Sequence, residues 1–505
     1  MLRRRPLTCG HAQRLTRAGP LVLTLVLAAL LSPCGRLVAG ASARSDEAAA
    51  PGPLAAPLRV TVYNDVPSHW EVFAGAVETA RRFLGDPTPH LVWAAGDHDT
   101  EPHPLLNVMG WVGGPAWAWH RVSLAGCGKD CGPALAADLT WGPVDVLVCV
   151  SPEMDERHQG CLHSARALSA GLVVAVLHRA DQLPPRPWFL QDPPGPDQVQ
   201  VQAQAQAPGA HVPVHMLALA PHVAAAVSAK VGRAHRLDWA LLAGAYAPER
   251  PCASTRCLRG FTVQGTLRYW SGHAGSGLIR DYVGLWAQLA ARADAAAVNV
   301  TVLGKGGHLR NLGVPPELSR RVTLRSGLPY PEFWLTIHTS WALVPAFGTD
   351  QYLTSRISST MLASLTACYL TSRISSTMLA SLTACVPIIA SRAILDVYTF
   401  LGEEHVFLQG EGEAEVDVMV RVLALDEAAV LAKRAAVCRL REEMGRRAAA
   451  VVRGALEVAG QPMPPLPPAP PGPPGHPVKR KGSSSGKGSS RRTRSSGGSK
   501  SRGHG

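Results

Sequence analysis

Acidic side chains are missing from both ends of this chain. Residues 1–43 contain six Arg and no Asp or Glu, and residues 461–505 contain nine Lys or Arg and again none. The formal net charge of +13 therefore sits at the termini, and the middle of the chain is close to neutral. A core that grips nucleic acid would carry its basic residues on the fold itself, so no nucleic-acid partner is expected. Long apolar runs are also scarce. Beyond the N-terminal region no stretch is long and apolar enough to span a bilayer, which excludes a multi-span membrane protein. Charged residues make up 17% of the chain against 46% hydrophobic ones, a balance that suits a globular α/β protein and not a disordered one. Metal-ligand patterns are lacking as well. No His or Cys pair at regular spacing completes a four-ligand set from Cys127/Cys131 or Cys252/Cys257, so no metal is expected. Local disulfides within those pairs, or free thiols, are the simpler reading of the eleven Cys.

At 505 residues the chain has room for two or three domains. Arg3, Arg4 and Arg5 precede an apolar run from Leu21 to Leu31, broken only by Thr24, and then Ala41-Ser42-Ala43. This is the order of a secretory signal. At about 1.5 Å per helical residue the run reaches only about half way across a bilayer core. A signal cleaved near residue 43 is expected, which places the protein in the ER or Golgi lumen or outside the cell. A type II signal anchor reaching toward Val38 is the alternative, and an organellar transit peptide a third.

Residues 44–57 read as a linker. From 58 to 257 strand and helix alternate. Leu58–Tyr63 reads as a strand, and Trp70–Leu84 as a helix carrying Val72, Phe73, Val77, Ala80 and Phe83 at helical spacing. Val144–Val150 is the near-continuous apolar run of a buried parallel strand. A helix over 159–171, the strand Leu172–Leu177, the strand His215–Leu219 and a helix over 221–231 follow. Residues 183–211, Pro-rich and then alternating with Gln, are expected to be a disordered insertion.

A second series runs from 258 to 412. Its strands are Phe261–Val263, Val298–Leu303, Val322–Leu324, Trp341–Pro345, Val386–Ala390 and His405–Leu408, with helices over 281–293 and 331–339. A helical segment fills 413–460. The tail 461–505 is Pro-rich and then basic, with no apolar residue beyond Val478, so it is expected to stay disordered. It could cling to an acidic polysaccharide or membrane surface, although a solvated appendage is the plainer reading. The alternation as a whole predicts an α/β protein of two Rossmann-like domains with a C-terminal helix and a disordered basic tail.

Ligands of open parallel sheets lie beyond the carboxyl ends of the strands. Three such ends in the second series are Gln264-Gly265, Gly304-Lys305-Gly306 and Phe347-Gly348-Thr349. Gly lets a backbone N–H approach a phosphate, and Lys or Arg supplies the charge a diphosphate needs. Gln264, Gly265, Gly304, Arg268, Arg280 and Lys305 are therefore donor-site candidates, although a Gly at a strand end is also an ordinary turn residue. A Ser-Arg-Ile-Ser-Ser segment enters a helix. Hydroxyls at an N-cap, Arg373 and the unpaired N–H groups of a helix start suit a diphosphate, with Ser375 and Ser376 as the hydroxyls. The bland alternative is that a Ser merely caps the helix. In the first series His178 closes a strand, where a pKa near working pH suits a general base for an acceptor hydroxyl. Asp181 is the group expected to orient it; a surface His is the competing reading. Asp65 and Asp97 have no role that sequence assigns. Asn299-Val-Thr301 matches the glycosylation sequon, but it falls in a strand expected to be buried, so no glycan is expected.

The segment Tyr352–Cys368 recurs unchanged as Tyr369–Cys385. Seventeen residues turn a helix by about 1700°, roughly 100° short of five turns, so an inserted copy faces the wrong way unless it loops out. Two occurrences are no solenoid, and a recent duplication or a gene-model error is the reading. Only one copy can take the helix position. The second, Ser372–Thr377, runs directly into Val386-Pro-Ile-Ile and is the one expected there.

The order of Gln264-Gly265, Arg280, Gly304-Lys305-Gly306, Leu328–Phe333, Leu343–Phe347, the Ser-Arg-Ile-Ser-Ser helix start and Val386-Pro-Ile-Ile resembles the C-terminal half of GT-B fold glycosyltransferases, the group 1-type and exostosin-type above all. The resemblance spans about 258–412 and reaches the first half by architecture only. It implies a nucleotide-sugar donor in the second half and a carbohydrate or glycoprotein acceptor in the first. It also implies reaction in the cleft between them, without a protein-bound metal or other cofactor, and diphosphate contacts by Arg280, Lys305 and the Ser-rich helix start. One departure stands out. Many of these families place Glu in the helix before the Pro-Val-type strand, whereas here nothing acidic lies between Asp350 and Asp396 and the expected place falls near Ala380. Losing that charge-assisted partner costs on the order of 1.5–3 kcal/mol. A non-catalytic nucleotide-sugar or carbohydrate-binding protein on the same fold is therefore the alternative, ahead of a two-lobed periplasmic-binding-type receptor.

Overall fold

The computed structural model describes residues 57–64, 69–95, 108–109, 119–123, 141–154, 160–184, 187, 190, 212–232, 236–265, 280–304, 312–346 and 374–461. All of them fall in one compact unit, Met1–Leu466. The signal region, the first repeat copy, the basic tail and most of the insertion expected over 183–211 lie outside the described residues, but Leu183 at its start is buried in the core and belongs to the fold.

The first half is a single parallel sheet. Its strands are β1 (Val60–Asn64), β2 (His90–Ala95), β3 (Trp119–Ser123), β4 (Val146–Val150), β5 (Leu172–Leu177), β6 (Val214–Ala218) and β7 (Leu237–Trp239). Their order is β3-β2-β1-β4-β5-β6-β7, and every pair is parallel. The runs VLVCV and LVVAVL are buried throughout, as strands covered on both faces must be. The helices of this half are α1 (Trp70–Thr79), α2 (Gly160–Ala167) and α3 (Pro221–Val231). α1 does not run to Leu84 as a uniform α-helix; it widens into a π-helical stretch, Ala80–Leu84. α3 keeps its expected bounds because Pro221 sets its first turn.

The second half carries β8 (Phe261–Gln264), β9 (Val300–Gly304), β10 (Val322–Ser326), β11 (Ile388–Ala390) and β12 (Val406–Leu408). Its pieces run β10-β9-β8 and β11-β12. Leu343 bridges Thr262 on one side and Ile388 on the other, both in parallel. That single residue replaces the expected five-residue strand and joins the pieces in the order 3-2-1-4-5-6, the Rossmann order. The helices here are α4 (Tyr282–Ala291), α5 (Tyr330–His338), α6 (Ser376–Ala384), α7 (Arg392–Val397), α8 (Glu415–Leu423) and α9 (Glu427–Val458). The expected single tract near 415–458 divides where Asp426 caps α9, its carboxylate accepting from the Ala429 N–H at 2.6 Å.

α9 ties the halves together. Near its start Arg434 donates to the carbonyls of His338 (2.6 Å) and Ser340 (3.0 Å) in the second half. Further along, Glu442 accepts a forked pair from Arg82 at 2.9 and 2.6 Å, and Arg447 lies 3.9 Å over the Trp239 ring. Gly445 is required there, because any Cβ would strike the Phe83 ring. One apolar core runs from Val62 and Phe73 through Leu440 and Val452 to Trp334 and Leu382; a second surrounds Phe261, Trp286 and Met419. Two Rossmann-like sheets followed by a helix that returns to the first form the GT-B-like arrangement the resemblance implied.

Among the described residues three disulfides close, Cys149–Cys161, Cys252–Cys257 and Cys385–Cys438. The spacing of Cys252 and Cys257 had pointed to the second; Cys127 and Cys131 lie outside the described residues. Also among the described residues, no helix is long and apolar enough to cross a membrane.

Candidate active site at the carboxyl ends of two sheets

In each sheet the strand order reverses between the first strand and the fourth, and that is where an open α/β sheet leaves a crevice. In the first half the crevice lies between β1 and β4. Ser151 follows β4 with a left-handed φ of 56°. His69, at the N-cap of α1, also has a left-handed backbone, φ 62°. Both conformations are uncommon for residues other than Gly, and together they bring His69 Nδ1 to 2.8 Å from Ser151 Oγ. One strand further, His178 follows β5. Its ring centroid is 3.8 Å from that of His69, at an interplanar angle of 61°.

Glu153 anchors this cluster. Its side chain has no exposed surface, and its Oε1 accepts from the backbone N–H groups of His178 and Arg179, both at 3.0 Å. The His178 ring is held by the same oxygen, with Nδ1 at 3.3 Å. Burial pushes the Glu153 carboxyl up to about 7, against the hydrogen bonds and the His69 imidazole that pull it down. Burial, helped by His178 and Arg179, drives His69 down to about 3, with Glu153 opposing. At neutral pH His69 is therefore an uncharged imidazole. With the Nδ1–H of His178 facing Glu153, Nε2 is the nitrogen that carries the basic lone pair of the ring.

The orienting carboxylate expected from sequence was Asp181. In the structure Asp181 holds Arg179 Nη2 at 3.1 Å and Gln182 Nε2 at 3.2 Å, and Glu153 reaches the His178 ring at 3.3 Å. Neighbouring parallel strands place their carboxyl ends side by side, and β4 pairs with β5 as far as Val150 and Val176. A residue just past β4 thus meets one just past β5, whereas Asp181 has already moved on around the turn. An acid within three residues of the end of an adjacent strand was the legible signal for Glu153. For His69 the sequence held no signal beyond its place before an amphipathic helix.

In the second half the crevice lies between β8 and the Leu343 segment. Arg280 spans it, donating to the carbonyls of Gln264 at one strand end and Pro345 at the other, and to Thr377 Oγ1 of α6 at 3.0 Å. Gly265 has a φ of 155°, which side-chain-bearing residues rarely adopt, and a Cβ there would also press on the Arg280 guanidinium. Gly265 N–H itself donates to Leu303 O at 2.9 Å, and the Gln264 side-chain oxygen is buried without a hydrogen-bond partner among the described residues. Behind Arg280, the buried Glu415 accepts the Ala346 N–H. Burial and the nearby Asp281 push its carboxyl up to about 7, while Arg280 and the Ala346 N–H pull it down.

The helix start of the second repeat copy is here. Ser375 caps α6, its Oγ accepting from Thr377 N–H at 3.2 Å, and its own N–H donates to Tyr398 OH at 3.1 Å. Ser375 and Thr377 are buried, whereas Ser376 is exposed. Ser376 is thus the one hydroxyl of this first turn open to a ligand. Gln264, Gly265, Arg280, Ser375 and Ser376 gather around this crevice, and Gly304 ends β9 beside β8. Arg268, Lys305 and Arg373 lie outside the described residues. Ala380, at the place where related families carry an acid, is buried in the middle of α6. Among the described residues no group of three His, Cys, Asp or Glu is placed to hold a metal ion.

No family model matches the chain, and no curated protein matches it either. Solved structures do resemble it. Anabaena HepE, solved with UDP and glucose, is 11% identical with a TM-score of 0.43, covering 79% of this chain and 100% of its own. An alpha-glucosyltransferase in complex with UDP-glucose and DNA containing an abasic site is 9% identical with a TM-score of 0.47, covering 80% and 100%. The glycosyltransferase SnogD from Streptomyces nogalater is 18% identical with a TM-score of 0.35, covering 80% and 100%. At likenesses this low, the strand orders described above remain the grounds for the fold.

Proposed function

We propose that the protein is a glycosyltransferase that moves a sugar from a nucleotide diphosphate donor to an acceptor hydroxyl in the secretory pathway. The observation that carries this reading is the Glu153–His178–His69 cluster at the switch point of the first sheet. It is a buried carboxylate that fixes one imidazole beside a second, neutral one. Paired titratable groups driven apart by burial are what acid–base chemistry requires. In this reading the acceptor hydroxyl gives its proton to His178 Nε2 while its oxygen bonds to the anomeric carbon. The bond from that carbon to the diphosphate oxygen breaks, and the nucleoside diphosphate leaves with the electron pair. In this reading the exposed Ser376 hydroxyl and the positive end of the α6 dipole face the charge that develops on the leaving group. Three disulfides among the described residues support an oxidising compartment. A signal or type II anchor at the N-terminus would deliver the chain there.

The test is release of nucleoside diphosphate from a panel of nucleotide sugars, with and without carbohydrate acceptors. If no donor in the panel turns over, transfer activity is refuted. A second reading, a binding protein without catalysis, is favoured by two observations: Ala380 stands where an acid was expected, and Arg280 is engaged by Gln264, Pro345 and Thr377. Thermal stabilisation by a nucleotide sugar, with no turnover of it, would support that reading instead.

A further inference from the structure

The chain contains four Asn, and one of them, Asn299, stands in an Asn-X-Ser/Thr sequon. Its strand setting had argued against modification. The structure places Asn299 one residue before β9, between a 3-10 turn, Asp294–Ala297, and Val300. Val298 and Val300 are both buried, and the alternation turns the Asn299 side chain outward, where it is exposed. Its flanking neighbours Ala296 and Ala297 are exposed and small, so the approach to its side chain is open.

The backbone around it is fixed. Asn299 O accepts from Phe261 N–H at 2.8 Å, Val298 N–H donates to Ala295 O at 2.9 Å, and Val300 N–H donates to Arg321 O at 2.8 Å. The side chain is not fixed: Nδ2 lies 3.4 Å from Ala297 O, longer than an ordinary hydrogen bond. Gly260, with a φ of 60°, packs so closely that any side chain there would meet Asn299. Asn299 also stands at the amino end of the sheet. The crevice is at the carboxyl end, beyond Gly304 on the same strand and about 16 Å away at roughly 3.3 Å per residue.

We propose that Asn299 carries an N-linked glycan that projects from the end of the second sheet opposite the donor crevice; this rests on the secretory placement above. The co-reactant is a lipid-linked oligosaccharide diphosphate. Asn299 Nδ2 bonds to its anomeric carbon and loses one proton, and the bond from that carbon to the lipid diphosphate breaks, the lipid diphosphate leaving with the electron pair. The unfolded chain meets the transferring enzyme before β9 pairs, and the folded sheet then leaves the glycan in solvent.

The experiment expresses the full chain, with its own N-terminus, in a secreting eukaryotic cell and maps the peptide that contains Asn299 by mass spectrometry. Peptide N-glycosidase F treatment and non-reducing mapping of Cys385–Cys438 are run on the same sample. The expected result is a glycan on Asn299 whose gel shift is lost completely in Asn299→Gln and Thr301→Ala and retained in Thr301→Ser, with unchanged transferase activity in Asn299→Gln. An unmodified Asn299 in a chain whose disulfide has formed overturns the proposal and leaves the secretory placement standing. An unmodified Asn299 with free thiols, in a chain retained in the cytosol, overturns both.

Discussion

Replacing Glu153 by Gln tests the electrostatics of the first-half crevice directly. The Glu153 carboxyl titrates near 7 in the fold against 4.5 in an exposed reference, so the folded protein binds that proton more tightly than the unfolded chain. Its stabilising contribution is complete below pH 4.5 and is lost as pH rises through about 7. The span amounts to about 3 kcal/mol as an order of magnitude, with no solvent screening to discount because the side chain is fully buried. His69 works in the opposite sense. It titrates near 3 instead of 6.5, so its contribution is complete above pH 6.5 and is lost as pH falls toward 3. Between 4.5 and 6.5 the two slopes oppose each other, and together they flatten the stability of the native protein. Gln keeps an oxygen for the His178 and Arg179 N–H groups and does not titrate. Chemical denaturation of both proteins should therefore show almost equal stability at about pH 4.5 and a gap favouring the variant that widens to about 3 kcal/mol by about pH 8. Turnover of the variant should fall below that of the native protein above about pH 7, where the native carboxylate orients His178 more firmly than an amide does. A variant that instead loses ground to the native protein as pH rises would refute the argument. It would show Glu153 ionised and paired with a protonated His178.

His178→Asn should lower kcat by about 10²–10⁴-fold, the usual worth of a general base, with an unchanged melting temperature; an unchanged kcat would remove His178 from the chemistry. Cys438→Ser opens a disulfide whose partners are 53 residues apart, and loop-closure entropy sets its contribution at about 4 kcal/mol. Thermal unfolding under oxidising conditions should show that loss, and the difference between variant and native protein should vanish when both are reduced, since reduction opens the same bridge in the native chain. Deleting Tyr352–Cys368 should leave melting nearly unchanged, because α6 is formed by the second copy and shortening the connection between Ala346 and Ile374 changes its closure entropy by only about 1 kcal/mol. An insoluble deletion variant would assign the first copy a structural role.

Strands whose residues are apolar throughout were legible from sequence. Leu172–Leu177 has the expected bounds because nothing in the run competes with burial, and the helix over 221–231 is bracketed by Pro221 and Gly232. Shorter or mixed strands were not legible. β3 is WHRVS, a pattern that carries neither alternation nor a continuous apolar run, and β7 has only three residues. β2 is apolar from Leu91 to Ala95 but is too short a run to tell strand from helix by pattern alone. The site was half legible for a related reason. Strand ends such as Gln264-Gly265 and His178 can be read one segment at a time. Glu153, Ser151 and His69 gain their meaning only from which strands lie side by side, which is a property of the sheet order. The pairing of Cys385 with Cys438 likewise joins α6 to α9 across a separation that local spacing cannot encode.

The order of synthesis makes α9 a late arrival. The sheet that α9 covers is complete at Trp239, yet the helix that brings Leu440, Met444 and Val452 to the shared core begins only at Glu427. At 5–20 residues per second, roughly 190 intervening residues take about 10–40 s to emerge. Through that interval Phe83 and Trp239 wait without the helix that packs on them. A nascent chain stalled before Glu427 would expose a finished sheet with one flank bare, so the window for chaperone binding or for sticking to another chain opens with the first half and closes only with the last helix.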